Sequence, residues 1–95
     1  MGLLSLDVRD DLIATRGLIE RGNQLFRKWN NSFGIALSTF HLGIVERKLG
    51  NNKRARSLLE NNLAIFEREG DLFFIARTAV NLGFLHLREG NFSKA

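Results

Sequence analysis

The side chains with the means to do chemistry are few and scattered. His41 and His86 are the two histidines, and there is no cysteine. No set of spaced carboxylates completes a metal site around either imidazole. Ser5, Ser32, Ser38, Ser57 and Ser93 stand in no nucleophile–base–orienter context. No Gly-Lys-Ser or Gly-Lys-Thr follows Gly34 or Gly43, which excludes a phosphate-cradling loop of the usual kind. Asp10-Asp11 and the pair Glu67 and Glu69 read better as helix caps and solvated helix surface than as acids in a reaction. The expectation is a protein with no catalytic, cofactor-binding or metal-binding residue, and no enzyme.

Charge points elsewhere. The net charge is +4, and its excess is local: Arg47, Lys48, Lys53, Arg54 and Arg56 fall within ten residues that contain no acid. A basic patch raises the encounter rate with anionic partners. Elsewhere acids are interleaved with the basic residues, so the cluster reads first as a solvated helix–turn–helix edge. The signatures of nucleic-acid modules with readable motifs are missing. A basic helical repeat associating with nucleic acid remains the alternative from another functional class.

No segment approaches the run of about 20 apolar residues that a membrane helix needs. The start, Met1-Gly2-Leu3-Leu4-Ser5-Leu6, lacks a basic region before its apolar run, and Leu6 occupies the place where a myristoylation motif requires Ser or Thr. A cytoplasmic location without membrane attachment is expected.

Three short breaks position everything else. Gly50-Asn51, Gly70-Asp71 and Gly90-Asn91 each pair a residue suited to ending a helix with a side chain suited to capping the next, and Trp29-Asn30-Asn31 takes a comparable place without glycine. Between them lie helical patterns over 11–28, 33–49, 52–69 and 72–89, joined by connections so short that neighbours must run antiparallel. In 52–69, Ala55, Leu58, Leu59, Leu63 and Phe66 form one stripe of a 3.6-residue period. Segments 33–49 and 72–89 are apolar on two faces, which predicts burial between neighbours or a face offered to a ligand.

The segments repeat with a register of 40. Ile35, Ala36, Leu42, Gly43, Gly50, Asn51 and Ala55 recur as Ile75, Ala76, Leu82, Gly83, Gly90, Asn91 and Ala95, while Leu18, Ile19, Glu20 and Phe26 stand where Leu58, Leu59, Glu60 and Phe66 stand 40 positions later. A period of this length marks a solenoid of stacked hairpins. The predicted class is all-α, antiparallel helix hairpins stacked as an α-solenoid. One domain spans 1–95, with a partial first repeat over 1–31, a complete repeat over 32–71 and a partial last repeat over 72–95. Residues 1–9 supply a stub of a first helix and 91–95 open another, which suggests either a slice of a longer array or a short member that caps itself by association. Glycine in mid-helix carries a cost of about 1 kcal/mol, so Gly43 and Gly83 each predict close approach by a packed helix.

Leu42-Gly43, Gly50-Asn51 and Ala55, repeated as Leu82-Gly83, Gly90-Asn91-Phe92 and Ala95, resemble the landmarks of the tetratricopeptide repeat. The resemblance covers about residues 10 to 95. Its 40-residue period and extended second helix are similar to the longer-repeat subclass found in bacterial signalling NTPases and LuxR-type regulators. Two departures stand out. Asn62 and Gly22 take the place of the family's small alanine, and Asn52 that of an aromatic. Asn62 would fall on the buried stripe and is expected at a loosened or partly exposed stretch of helix.

The resemblance implies a right-handed stack serving as a non-catalytic protein-interaction scaffold, of the kind found as a segment of larger signalling or regulatory proteins. It also implies a concave groove lined by the first helix of each unit. That groove would hold Leu37, Phe40, His41, Ile44, Arg47 and Lys48 from one unit and Arg77, Val80, Asn81, Phe84, Leu87 and Arg88 from the next. Phe40, Ile44, Val80 and Phe84 would form its apolar centre and the basic residues its rim. The partner implied is a protein or peptide with apolar anchors flanked by acids. The acidic-tail clamp of some family members is not matched, because Phe40 and Ile44 stand where its polar residues would be needed. Exposed repeat ends add self-association to the expectations.

Overall fold

The computed structural model describes residues 8–89, which form four helices: α1 (Val8–Lys28), α2 (Ser32–Lys48), α3 (Asn52–Glu69) and α4 (Leu72–Glu89). No strand occurs among the described residues. The expected break at Gly90-Asn91, the helix opening at 91–95 and most of the stub at 1–9 lie outside them.

The breaks work by backbone conformation. Gly50 and Gly70 adopt φ of 89° and 71°, the left-handed region that closes a helix without a Cβ penalty. Asn30 does the same at φ 53° where no glycine is available. Asn31 then caps α2, its Oδ1 accepting from the Gly34 N–H at 2.9 Å, and Asp71 Oδ1 accepts from the Phe74 N–H at 3.2 Å. Asn51 departs from its expected role. It makes no side-chain cap on α3, because its amide is turned back to Glu46 at 2.7 Å.

Each helix packs on the next in the chain, and α2 also touches α4. The molecule measures 49 × 42 × 20 Å, its short dimension about two helix diameters. It is a two-layer slab of hairpins. Ala36, Phe40, Ala55, Leu59, Phe66 and Leu85 form the buried core, with Ile44, Ile65, Phe74, Ile75 and Leu82 packed around it. At its centre Phe66 of α3 stacks on Phe74 of α4, ring centroids 4.8 Å apart, and Phe40 meets Phe74 edge-on at 5.5 Å. Position 34/74 shows how the two copies solve one packing problem. A Cβ at Gly34 would collide with the ring of Phe26, whereas its register mate Phe74 itself supplies the aromatic layer against Phe66.

The two mid-helix glycines part company. A Cβ on Gly43 would lie 2.7 Å from Leu59 Cγ, so close approach of α3 demands glycine there. Gly83 has nothing within 4 Å among the described residues.

Candidate functional site

Two polar clusters fix α2, the helix on which half of the expected groove depends. Asn23 of α1 donates through Nδ2 to Ser38 Oγ at 2.8 Å and Thr39 Oγ1 at 3.2 Å, while Arg27 Nε donates to Asn23 Oδ1 at 2.8 Å. Glu46, 1% exposed, ties three helices together. It accepts from Asn51 Nδ2 at 2.7 Å, from Arg54 Nε at 2.9 Å and from Arg16 Nη1 at 3.3 Å. Burial alone would raise its carboxyl, but the hydrogen bonds from Asn51 and Arg54 and the charges of Arg16 and Arg54 hold it below its ordinary value.

Sequence reading found neither cluster. The signal was present for Glu46, the one acid in an otherwise apolar and basic α2, immediately before the acid-free run. The knot also reinterprets that run. Arg54 reaches Glu46 and lies 3.8 Å from Glu20 of α1, so part of the charge that is uncompensated in sequence is compensated in space.

The twelve expected groove residues form six register pairs, and they separate into two rows. Leu37, His41, Ile44 and Lys48 pair with Arg77, Asn81, Phe84 and Arg88. In this row His41, Lys48, Arg77, Phe84 and Arg88 are exposed and the others half-buried. The second row pairs Phe40 and Arg47 with Val80 and Leu87. Here the two copies differ: Phe40 is 1% exposed, whereas Val80 and Leu87 are 58% and 56% exposed.

Phe40 is therefore a core residue and not an accessible anchor. Phe66 of α3 and Phe74 of α4 pack on its ring, and the Arg77 guanidinium lies 6.0 Å from its centroid. Val80 is exposed because no described helix covers α4 as α3 covers α2.

Two further cation–ring contacts involve the first row, one joining its Phe84 to Arg47 of the second row and the other joining its Arg77 to Phe73 on the same helix. The Arg47 guanidinium sits 5.5 Å over Phe84, and Arg77 sits 5.4 Å from Phe73. His41 is edge-on to Phe40, and its imidazole pKa is lowered by partial burial and then by the positive charge of Arg77. Ala76, Arg77, Val80 and Asn81 line a shallow pocket of about 260 Å³ on α4, where the two rows meet. Among the described residues no group of three or more His, Cys, Asp or Glu converges as metal ligands, and no helix is long and apolar enough to cross a membrane.

Asn62 corrects another expectation. It is fully buried instead of lying at a loosened stretch, and neither amide atom has a hydrogen-bond partner among the described residues. Thr78 Oγ1, also fully buried, shares that condition. The second repeat has replaced Asn23 by Leu63 at the corresponding place, so Thr78, the mate of Ser38, has no counterpart to the donor that Ser38 enjoys.

Comparison with known families gives a match to the model described as tetratricopeptide repeat, over residues 34–95. Comparison with curated proteins and with solved structures gives no match.

Proposed function

Since the chain belongs to the tetratricopeptide-repeat family, we propose that it is a non-catalytic protein-interaction module whose binding strip is the first row: Leu37, His41, Ile44 and Lys48 beside Arg77, Asn81, Phe84 and Arg88. The observation that carries this is the segregation of charge. Apart from Glu89 at the end of α4, the one acid of α2 and α4 is Glu46, and it is buried and bound. The exposed charges of the strip, Lys48, Arg77 and Arg88, are all basic, around an exposed Phe84. A peptide with apolar anchors flanked by acids complements that pattern. Apolar anchors give such an interface its energy, and rim charges its rate and selectivity.

The 40-residue period supports placing the chain in the longer-repeat subclass, as a sensor or partner-binding segment of a cytoplasmic signalling or regulatory protein. A second reading has the chain meeting copies of itself through exposed repeat ends, favoured by the uncovered Leu18 and Leu25 of α1 and Val80 and Leu87 of α4.

Calorimetric titration with an acidic–apolar peptide library tests the strip. Phe84→Ala combined with Arg88→Ala is expected to weaken the best peptide at least about tenfold, or 1.4 kcal/mol. Unchanged affinity eliminates the strip. Tight binding of generic RNA that falls steeply with added salt, with no peptide bound, transfers the function to the nucleic-acid alternative.

A further inference from the structure

The first row runs one turn further than the expected groove residues. Four positions before Leu37 and Arg77 stand Phe33 and Phe73, which are themselves register mates. They are 45% and 63% exposed, although each meets the half-buried Phe74 edge-on, with ring centroids 6.1 and 5.1 Å away. Phe33 stays open with α3 and α4 following it, and Phe73 stays open with α1 and α2 preceding it. Neither kind of neighbour closes this register position, unlike position 40/80, where α3 buries Phe40.

Arg77 stands on this step of rings. Its guanidinium lies 5.4 Å from the Phe73 centroid and 6.0 Å from that of Phe40. It has no ion pair among the described residues. Asp71, the acid nearest to it in sequence, is engaged as the cap of α4, its Oδ1 accepting from the Phe74 N–H. Arginine packs on rings by its planar face and grips a carboxylate by its N–H edge, so the ring contacts leave the fork free for an acid. Aromatic rings and arginine are also the residue types that carry most of the energy of protein interfaces.

Resting on the peptide-binding reading, we infer that Phe33, Phe73 and Arg77 form the selective end of the strip: an aromatic side chain of the bound peptide packs on the Phe33–Phe74–Phe73 step, and a carboxylate beside it seats on the Arg77 fork. The incoming ring adds one more pair to a cluster already built of edge-on contacts. One unpaired guanidinium suits one carboxylate, whereas a nucleic-acid strand needs a track of cations along its phosphates. The partner is thereby narrowed to a segment with an aromatic residue and an acid close together.

The experiment titrates the full chain with the best peptide of the acidic–apolar library and with a copy in which the acid is replaced by its amide. Three variants accompany it: Phe73→Ala, Arg77→Ala and Arg77→Lys. Both side chains are exposed, so the variants are expected to keep the wild-type melting curve. The library's binders are expected to share an aromatic residue within a few positions of an acid, and Phe73→Ala to weaken the best of them roughly tenfold. Arg77→Ala is expected to cost a similar factor, and Arg77→Lys most of it, because lysine lacks the fork. In Arg77→Ala the amide peptide should bind no more weakly than the acid one, the non-additivity that marks a direct contact. Binders with no aromatic–acid pair, or losses that simply multiply, overturn this subsite while Phe84→Ala with Arg88→Ala still tests the strip itself. No peptide bound at all overturns both. Generic RNA released by Phe73→Ala, with peptides unaffected, overturns the inference and assigns the rings to stacked bases.

Discussion

Among the described residues Glu46 is the one fully buried carboxylate, and three donors from three segments determine its sign of effect. Its pKa in the fold lies below its ordinary 4.5, so it binds its proton more readily in the unfolded chain. The stabilisation is complete above that ordinary value and is lost as pH falls from there through the lower folded one. Chemical denaturation at a series of pH values should show stability dropping across that acid window. Glu46→Gln should remove about 2 kcal/mol at neutral pH, the worth of hydrogen bonds to a charged group, and flatten the drop. A variant that keeps the full acid slope would assign it to another carboxylate. Asn62 is the opposite case. It is buried without a hydrogen-bond partner among the described residues, a liability the family's usual alanine does not carry. Its place on the buried stripe was legible from its spacing. That it stays buried was not, because burial there is decided by Leu59 and Phe66 packing on either side of it.

The helices themselves were legible almost to the residue, since Gly50, Gly70 and the Asn30-Asn31 pair punctuate the chain by backbone conformation, a local property. What periodicity could not give was the neighbour count of each helix face. Phe40 and Val80 carry the same register and the same apolar chemistry, yet one is core and the other surface, because α3 covers α2 and no described helix covers α4 in the same way. The glycines measure this difference directly. Gly43→Ala is expected to destabilise by about 1–3 kcal/mol, since Leu59 Cγ, 2.7 Å from the new Cβ, is a branch point in a closed core and has little room to give. Gly83→Ala, at concentrations where the chain is monomeric, is expected to stabilise by up to about 1 kcal/mol through helix propensity. Urea denaturation of the pair decides the matter: equal losses in both would mean that Gly83 is as tightly covered as Gly43. The polar clasps were illegible for a related reason. Asn23–Ser38 and Glu46–Arg54 join residues of different helices, and their register mates are of other types: Leu63, Thr78, His86 and Lys94.

For the whole molecule, stability in a stack follows the number of neighbours each layer has. α2 is held by α1, α3 and α4, and α3 by α2 and α4, whereas α1 packs on α2, with the Glu20–Arg54 ion pair reaching α3. The Glu46 knot and the Phe40–Phe66–Phe74 cluster are both centred on α2 and α3, joined by Arg16 of α1 and Phe74 of α4, so the energy is concentrated there and thins toward the ends. Local opening should therefore be graded and not all-or-none. Hydrogen exchange read by mass spectrometry at low concentration is expected to give greatest protection in α2 and α3, less in α4 and least in α1. Uniform protection across all four helices at low concentration would mean a single cooperative unit. The ends would then need no neighbour to hold them, and the graded picture of the stack would fail.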